Sequence, residues 1–267
     1  MNIPSQSALL DRTRMIRTIQ ELCEELDSVE AGSSKIIEDV AQLKADYLKL
    51  KDIVGELGGN VEYLVPSDGK LTSLLSKGGI VKLSENVESQ TYTGGIIAKN
   101  TVNLKLNGKT LTFSGGNSNP GIMTRGKQQL TIDGGGTINA GGKIAVECNG
   151  AESVITLGGT MFGRPTYINS RAGGELIYCY SGTIYIKEGI FRNNSTNSTF
   201  MLNCYDSNYR AGTAKIIVSG GKFYDFDPGN CTTEEAGTSY LAEGYKSVPA
   251  TVIEEGIEHT VYTVSKI

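Results

Sequence analysis

One phrase recurs five times between residues 103 and 223 of this chain: alternating apolar residues, a glycine-rich turn, then a second apolar pair. It reads NLKLNGKTLTF at 103–113, LTIDGGGTIN at 130–139, VITLGGTMF at 154–162, TIYIKEGIF at 183–191 and KIIVSGGKF at 215–223. The glycines Gly108, Gly135, Gly159, Gly189 and Gly221 mark it at intervals of 27, 24, 30 and 32 residues. A repeat of this length is a stacked unit that cannot bury its own apolar face alone. Short strands with glycine corners and no intervening helix predict a right-handed parallel β-helix, a β-solenoid in which each coil supplies about three strands. Ile132, Ile155, Ile184 or Ile186, and Ile217 are the expected inward residues, each stacking on its counterpart one coil away. The competing all-β reading is a sandwich of hairpins, with a turn at Asn107-Gly108.

The N-terminal fifth of the chain is of another kind. Residues 1–57 hold only two of the 34 glycines and one of the 13 tyrosines, so helix gives way to turn-rich β structure near residue 58. From residue 15 to 57 the heptad a positions are Ile19, Leu26, Ser33, Val40, Tyr47 and Val54, and the d positions are Met15, Leu22, Val29, Ile36, Leu43, Leu50 and Leu57. Every one except Ser33 is apolar. A seven-residue apolar repeat kept in phase is the pattern of helices that supercoil around copies of themselves. Both β-branched residues and leucine occur at a and at d, and Ile16, Ile37 and Ile53 widen the stripe. Three strands are therefore expected rather than two, in a stalk roughly 65 Å long at ~1.5 Å per residue. The alternative is a helical hairpin broken at Ala31-Gly32-Ser33-Ser34 and packed on the rest of the chain.

Five segments follow from these boundaries: a tip at 1–14, the coiled coil at 15–57, a linker at 58–70, the β-helix at 71–226 and a capping segment at 227–267. In the tip, Ile3, Leu9 and Leu10 lie outside the heptads, which makes them candidates for docking into another protein; a frayed tail is the other reading. Residues 1–57 carry seven Lys and Arg against eleven Asp and Glu, which leaves 18 against 18 in the remainder. A neutral body gives no field to draw in nucleic acid. Five scattered cysteines, Cys23, Cys148, Cys179, Cys204 and Cys231, form no CxxC pair and read as buried free thiols. The N-terminus shows no secretion signal, and no apolar run approaches the ~18 residues of a membrane helix.

Catalytic motifs are sparse. His259, the one histidine, has no serine or cysteine motif beside it, and no phosphate loop or metal-ligand spacing occurs. No cofactor is expected. Glycoside cleavage would need two carboxyl groups ~5 to 9.5 Å apart beside a cleft. Asp133, Glu147, Asp206, Asp225 and Asp227 are the carboxylates that a lateral groove of a β-helix would offer, with Asp225 and Asp227 also read as a turn before Pro228. The expectation is a protein that is not an enzyme. Tyr178, Tyr180, Tyr205 and Tyr209, beside the polar runs RNNSTNST (192–199) and DSNYRA (206–211), are the candidate lateral binding surface, since tyrosine with asparagine and serine makes an adaptable recognition face. Stacking on the rungs is their plainer role.

The heptad stalk, SLLSKGGIVKL at 73–83, the repeated glycine phrase, SGGKFYDFDP at 219–228, TSYLAEGYKSV at 238–248 and VYTV at 261–264 together resemble fibre and spike proteins of tailed bacteriophages, particularly those of gut bacteria. The likeness covers most of residues 71–267 and rests on a β-helix idiom that some bacterial surface proteins share. It implies a homotrimeric virion protein assembled in the host cytoplasm, docked through its N-terminus to capsid or tail proteins and turning its β-helix outward toward bacterial or mucosal glycans. A short anchor, single stalk and compact tip suit a head fibre. A tail fibre or tailspike with polysaccharide-degrading activity, and a bacterial surface adhesin, are the alternatives.

Overall fold

The computed structural model describes residues 14–19, 40–46, 62–65, 71–89, 96–98, 101–113, 120–141, 144–159, 165–169, 175–193 and 200–267. They belong to two units, Met1–Glu62 and Tyr63–Ile267. In the first, residues 14–19 and 40–46 are helical, the conformation that the heptads demand there. Met15, Ile19, Val40 and Leu43 lie on these segments, and in the single chain Met15 is 61% and Leu43 36% exposed. The other seam positions, Leu22, Leu26, Val29, Ile36, Tyr47, Leu50, Val54 and Leu57, lie outside the described residues, as do the docking candidates Ile3, Leu9 and Leu10 and the cysteine Cys23.

The second unit is a parallel β-solenoid. Strand β1 (Glu62–Val65), within the stretch expected as a linker, pairs with β2 (Gly79–Leu83). From β2 the first face runs in parallel through β5 (Thr101–Lys105), β8 (Gln129–Asp133), the second half of β10 (Val146–Leu157), the second half of β12 (Ile177–Ile186) and β15 (Ala214–Val218). A second face stacks β3 (Val87–Ser89), β6 (Thr110–Phe113), β9 (Gly136–Asn139), β11 (Pro165–Asn169), β13 (Ile190–Asn193) and β16 (Gly221–Tyr224). The third consists of β4 (Ile96–Ala98), β7 (Ile122–Arg125), the first halves of β10 and β12, and β14 (Leu202–Cys204). Each coil thus feeds one strand to each face. Among the described strands from β2 to β16 none pairs with its neighbour in sequence, so these coils are not the hairpins of a sandwich. Asn107 and Gly108, with φ of 54° and 74°, form a solenoid corner between faces and not a hairpin turn.

The phrase works because its alternation matches the pleat. Leu104, Ile132, Leu157, Ile186 and Val218 are successive register partners on the first face, all buried. Ile155 and Ile184 form a second inward row ending at Ile216. Ile217 corrects the sequence expectation: it points outward beside Tyr185, while Ile216 and Val218 face in. Two adjacent isoleucines leave the parity of that strand ambiguous until its neighbour sets it. On the second face Tyr167, Phe191 and Phe223 stack through the core, with ring centroids 4.9 Å and then 4.7 Å apart and planes within 7°.

Both ends are closed. Helix α1 (Leu71–Leu75) buries Leu71, Leu74 and Leu75 in the same core cluster as the first coil. At the other end Phe226 tilts over Phe223, and the hairpin β17 (Tyr245–Glu254) and β18 (Ile257–Lys266) lays β18 antiparallel on β16. Antiparallel pairing ends the repeat, because a reversed strand does not start a further coil.

Candidate functional site

The third face carries the chemistry, and its two sides differ sharply. Inside, Thr124, Cys148, Cys179 and Cys204 are successive register partners. Thr124 Oγ1 lies 3.7 Å from Cys148 Sγ, and Cys179 Sγ donates to the Gly182 carbonyl at 3.5 Å. The expectation of buried free thiols holds for Cys148, Cys179, Cys204 and Cys231. The hydrogen bond with Cys179, and then burial, push the Cys148 thiol well above its ordinary range, and all three cysteines of this ladder are buried in the core.

On the opposite side of the strands, β10, β12 and β14 place Glu147, which is only 8% exposed, beside the half-buried Tyr178 and Asn203. One step further along, the register slips: Cys148 pairs with Cys179 but Asn149 with Ser181, so Tyr180 is the extra residue of a bulge. On its other side β12 keeps a regular register with β14, so Tyr180 comes to stand beside Tyr205, the residue after β14, whose N–H donates to the Cys179 carbonyl at 2.9 Å. The two rings stack at 4.7 Å and 20°, and each residue is 40% exposed. Asn208 Nδ2 donates to the Tyr180 carbonyl at 2.6 Å and steadies the bulge.

Polar groups frame the pair. Asn149 Nδ2 donates to Glu147 Oε1 and Asn203 Nδ2 to Glu175 Oε1, both at 3.1 Å. Burial raises the Glu147 carboxyl above its ordinary range against the pull of Asn149 and Arg125, and the charge of Glu175 adds to the rise. Tyr178 is pushed up by burial and then by the charges of Glu175 and Glu147. Glu175, Asn149, Asn203 and Arg125 were not legible as site residues. Glu175 and Asn203 meet across 28 residues and Arg125 joins through its register with Asn149, whereas Asn149 reaches Glu147 from two residues along the same strand.

Of the sequence candidates, Tyr178, Tyr180 and Tyr205 come together, and Tyr209 does not. It lies on α2 (Asp206–Arg210), packs against the core and lines a separate groove of about 300 Å³ with Ile217, Tyr240 and Leu241. The carboxylates scatter as well. Asp133 is fully buried near Tyr167, and Asp206 pairs with Arg210 at 3.6 Å on α2. Asp225, at φ 55°, binds His259 Nδ1 at 2.7 Å and accepts the Thr260 N–H at 2.9 Å. Asp227 accepts the Gly229 N–H at 2.8 Å, a contact that turns the chain around Pro228. His259 belongs to a clasp on the hairpin: Arg192 bonds Glu254 at 2.6 Å, Tyr224 donates to Glu254 at 2.8 Å, and the guanidinium lies 3.7 Å over the Tyr224 ring. Among the described residues no three His, Cys, Asp or Glu side chains are grouped to hold a metal, and no helix is long and apolar enough to cross a membrane.

Compared with protein-family models, with curated proteins and with solved structures, the chain matches none.

Proposed function

We propose that this chain is a non-enzymatic fibre protein that trimerises through residues 15–57 and presents its solenoid as a rigid, weakly carbohydrate-binding tip. The observation that carries the reading is the exposed, stacked Tyr180–Tyr205 pair on a flat parallel sheet, framed by amides and carboxylates. Flat aromatic surface with hydrogen-bonding groups at its margin suits a pyranose ring, which offers an apolar face and a rim of hydroxyls. Weak single sites gain from repetition, and a three-stranded coiled coil would bring three tips within reach of one surface. Docking of residues 1–14 into a virion, on the head in preference to the tail, completes the proposal and rests on the resemblance to phage fibres alone. Catalysis is not part of it, since Asp225 and Asp227, the carboxylates closest in sequence, are each tied into the fold of the cap.

The test is binding of the full-length protein to an array of bacterial and mucosal glycans, repeated with Tyr180→Ala/Tyr205→Ala. The reading predicts binding that the double substitution weakens by about tenfold or more, an effect of about 1.4 kcal/mol or above. Both side chains are 40% exposed, and a thermal melt of the variant checks that it keeps its fold. Binding indifferent to the tyrosines would defeat the proposal.

A further inference from the structure

The tyrosine pair does not stand on a neutral surface. In the adjoining row Glu147 of β10 and Asn203 of β14 flank Tyr178, and Glu175, which precedes β12, is tied to Asn203. Each carboxylate is oriented by one amide, Glu147 by Asn149 and Glu175 by Asn203. A carboxylate has about four acceptor sites and no donor, so one amide leaves accepting capacity unspent, which half-buried Glu175 presents more openly than Glu147, only 8% exposed. The two carboxylates act on each other and on Tyr178, and Arg125 is the cation whose field reaches Glu147.

We infer that this face takes neutral, hydroxyl-rich glycans, whose hydroxyls donate to Glu147 and Glu175 while a ring lies on Tyr180 and Tyr205, and that it rejects sugars bearing carboxylate or sulfate. The inference rests on the carbohydrate-binding reading above and adds the substrate class. The physical reason is one-sided complementarity. A neutral sugar presents O–H donors wherever the face presents acceptors, and it has no charge to desolvate. An acidic sugar would bring a further acceptor and a further negative charge beside two carboxylates. Like-charge juxtaposition is an effective way to discriminate against a wrong partner. Asn149 and Asn203 hold the two carboxylates in place, so their part is positioning.

The experiment uses the full-length protein on an array pairing neutral glucans, galactans and mannans with uronic, sialylated and sulfated counterparts. Wild type, Glu147→Gln/Glu175→Gln and Tyr180→Ala/Tyr205→Ala are compared, with thermal melts to show that all three are folded. The expected result is neutral glycans preferred by about tenfold or more, a preference that the Gln variant narrows to about threefold or less because the like-charge penalty is gone. Acidic glycans bound as well as neutral ones by wild type, through Tyr180 and Tyr205, overturn the charge selection and leave the binding face standing. Binding to nothing on the array, or binding that ignores the tyrosines, overturns both.

Discussion

Tyr167 shows how a single atom sits inside the stack. Its ring joins the aromatic column with Phe191, yet its hydroxyl is buried with no hydrogen-bond partner, and burial with the nearby Asp133 drives it far above its ordinary titration range. An unsatisfied buried hydroxyl costs about 1–3 kcal/mol. Tyr167→Phe should therefore unfold at an equal or higher urea concentration than wild type, whereas Phe191→Ala, which leaves a gap in the column, should lose about 3–5 kcal/mol. Gly182 is a second sensitive position. It turns the chain from the third face to the first at φ +97°, and a Cβ there would lie 2.5 Å from the Gly150 and Ser153 carbonyls. Gly182→Ala should destabilise by well over about 1 kcal/mol in the same titration. The thiols give a chemical readout at this scale. Cys148, Cys179, Cys204 and Cys231 should resist iodoacetamide in the native protein and label fully in urea, as mapped by peptide mass.

The C-terminal hairpin is attached to the solenoid by side chains as well as backbone. Its backbone pairing to the solenoid is the short ladder of Gly221–Tyr224 with Val261–Val264, and the clasp of Arg192, Tyr224 and Glu254 supplements it. Arg192, and then Tyr224, hold the Glu254 carboxyl below its ordinary range. A carboxylate depressed in the folded state adds stability that is present above its unfolded value and lost as pH falls through the folded one. Hydrogen exchange in β17 and β18 should thus accelerate on acidification below about pH 4.5 relative to the solenoid strands. Glu254→Gln should exchange faster at neutral pH, and its exchange should respond less to acid over the same range. The cap ends the sheets in a similar way. Glu234 Oε1 accepts the Cys204 N–H at 2.7 Å and the Tyr240 hydroxyl at 2.6 Å, and Val218 pairs with Leu241, so side chains and an irregular segment cover edges that another coil would otherwise take.

For the whole molecule the decisive quantity is mass in solution. Three chains of 28.5 kDa should sediment as one species near 85 kDa, their product. Val40→Asp/Leu43→Asp would put charge into the apolar seam and should return the full-length chain to a monomer that keeps its β signal by circular dichroism, because the solenoid buries its own core. A wild-type chain that sediments as a monomer at micromolar concentration would remove the basis for a fibre.

The sequence by itself determined that this chain coils. The phrase length, the glycine corners and the apolar alternation are local, and each coil repeats them, so strands, corners and most inward residues could be read before any contact was known. Only the tertiary structure decided which residues from different coils meet. Tyr180 reaches Tyr205 because β14 keeps the register of β12 across 25 residues of chain, and Glu147 comes near Glu175 because β10, β12 and β14 set Glu147, Tyr178 and the Asn203 that binds Glu175 in one row. Ile217 was assigned to the wrong side for the same reason. In a run of adjacent apolar residues the parity is set by the neighbouring strand, a contact made across some thirty residues of chain.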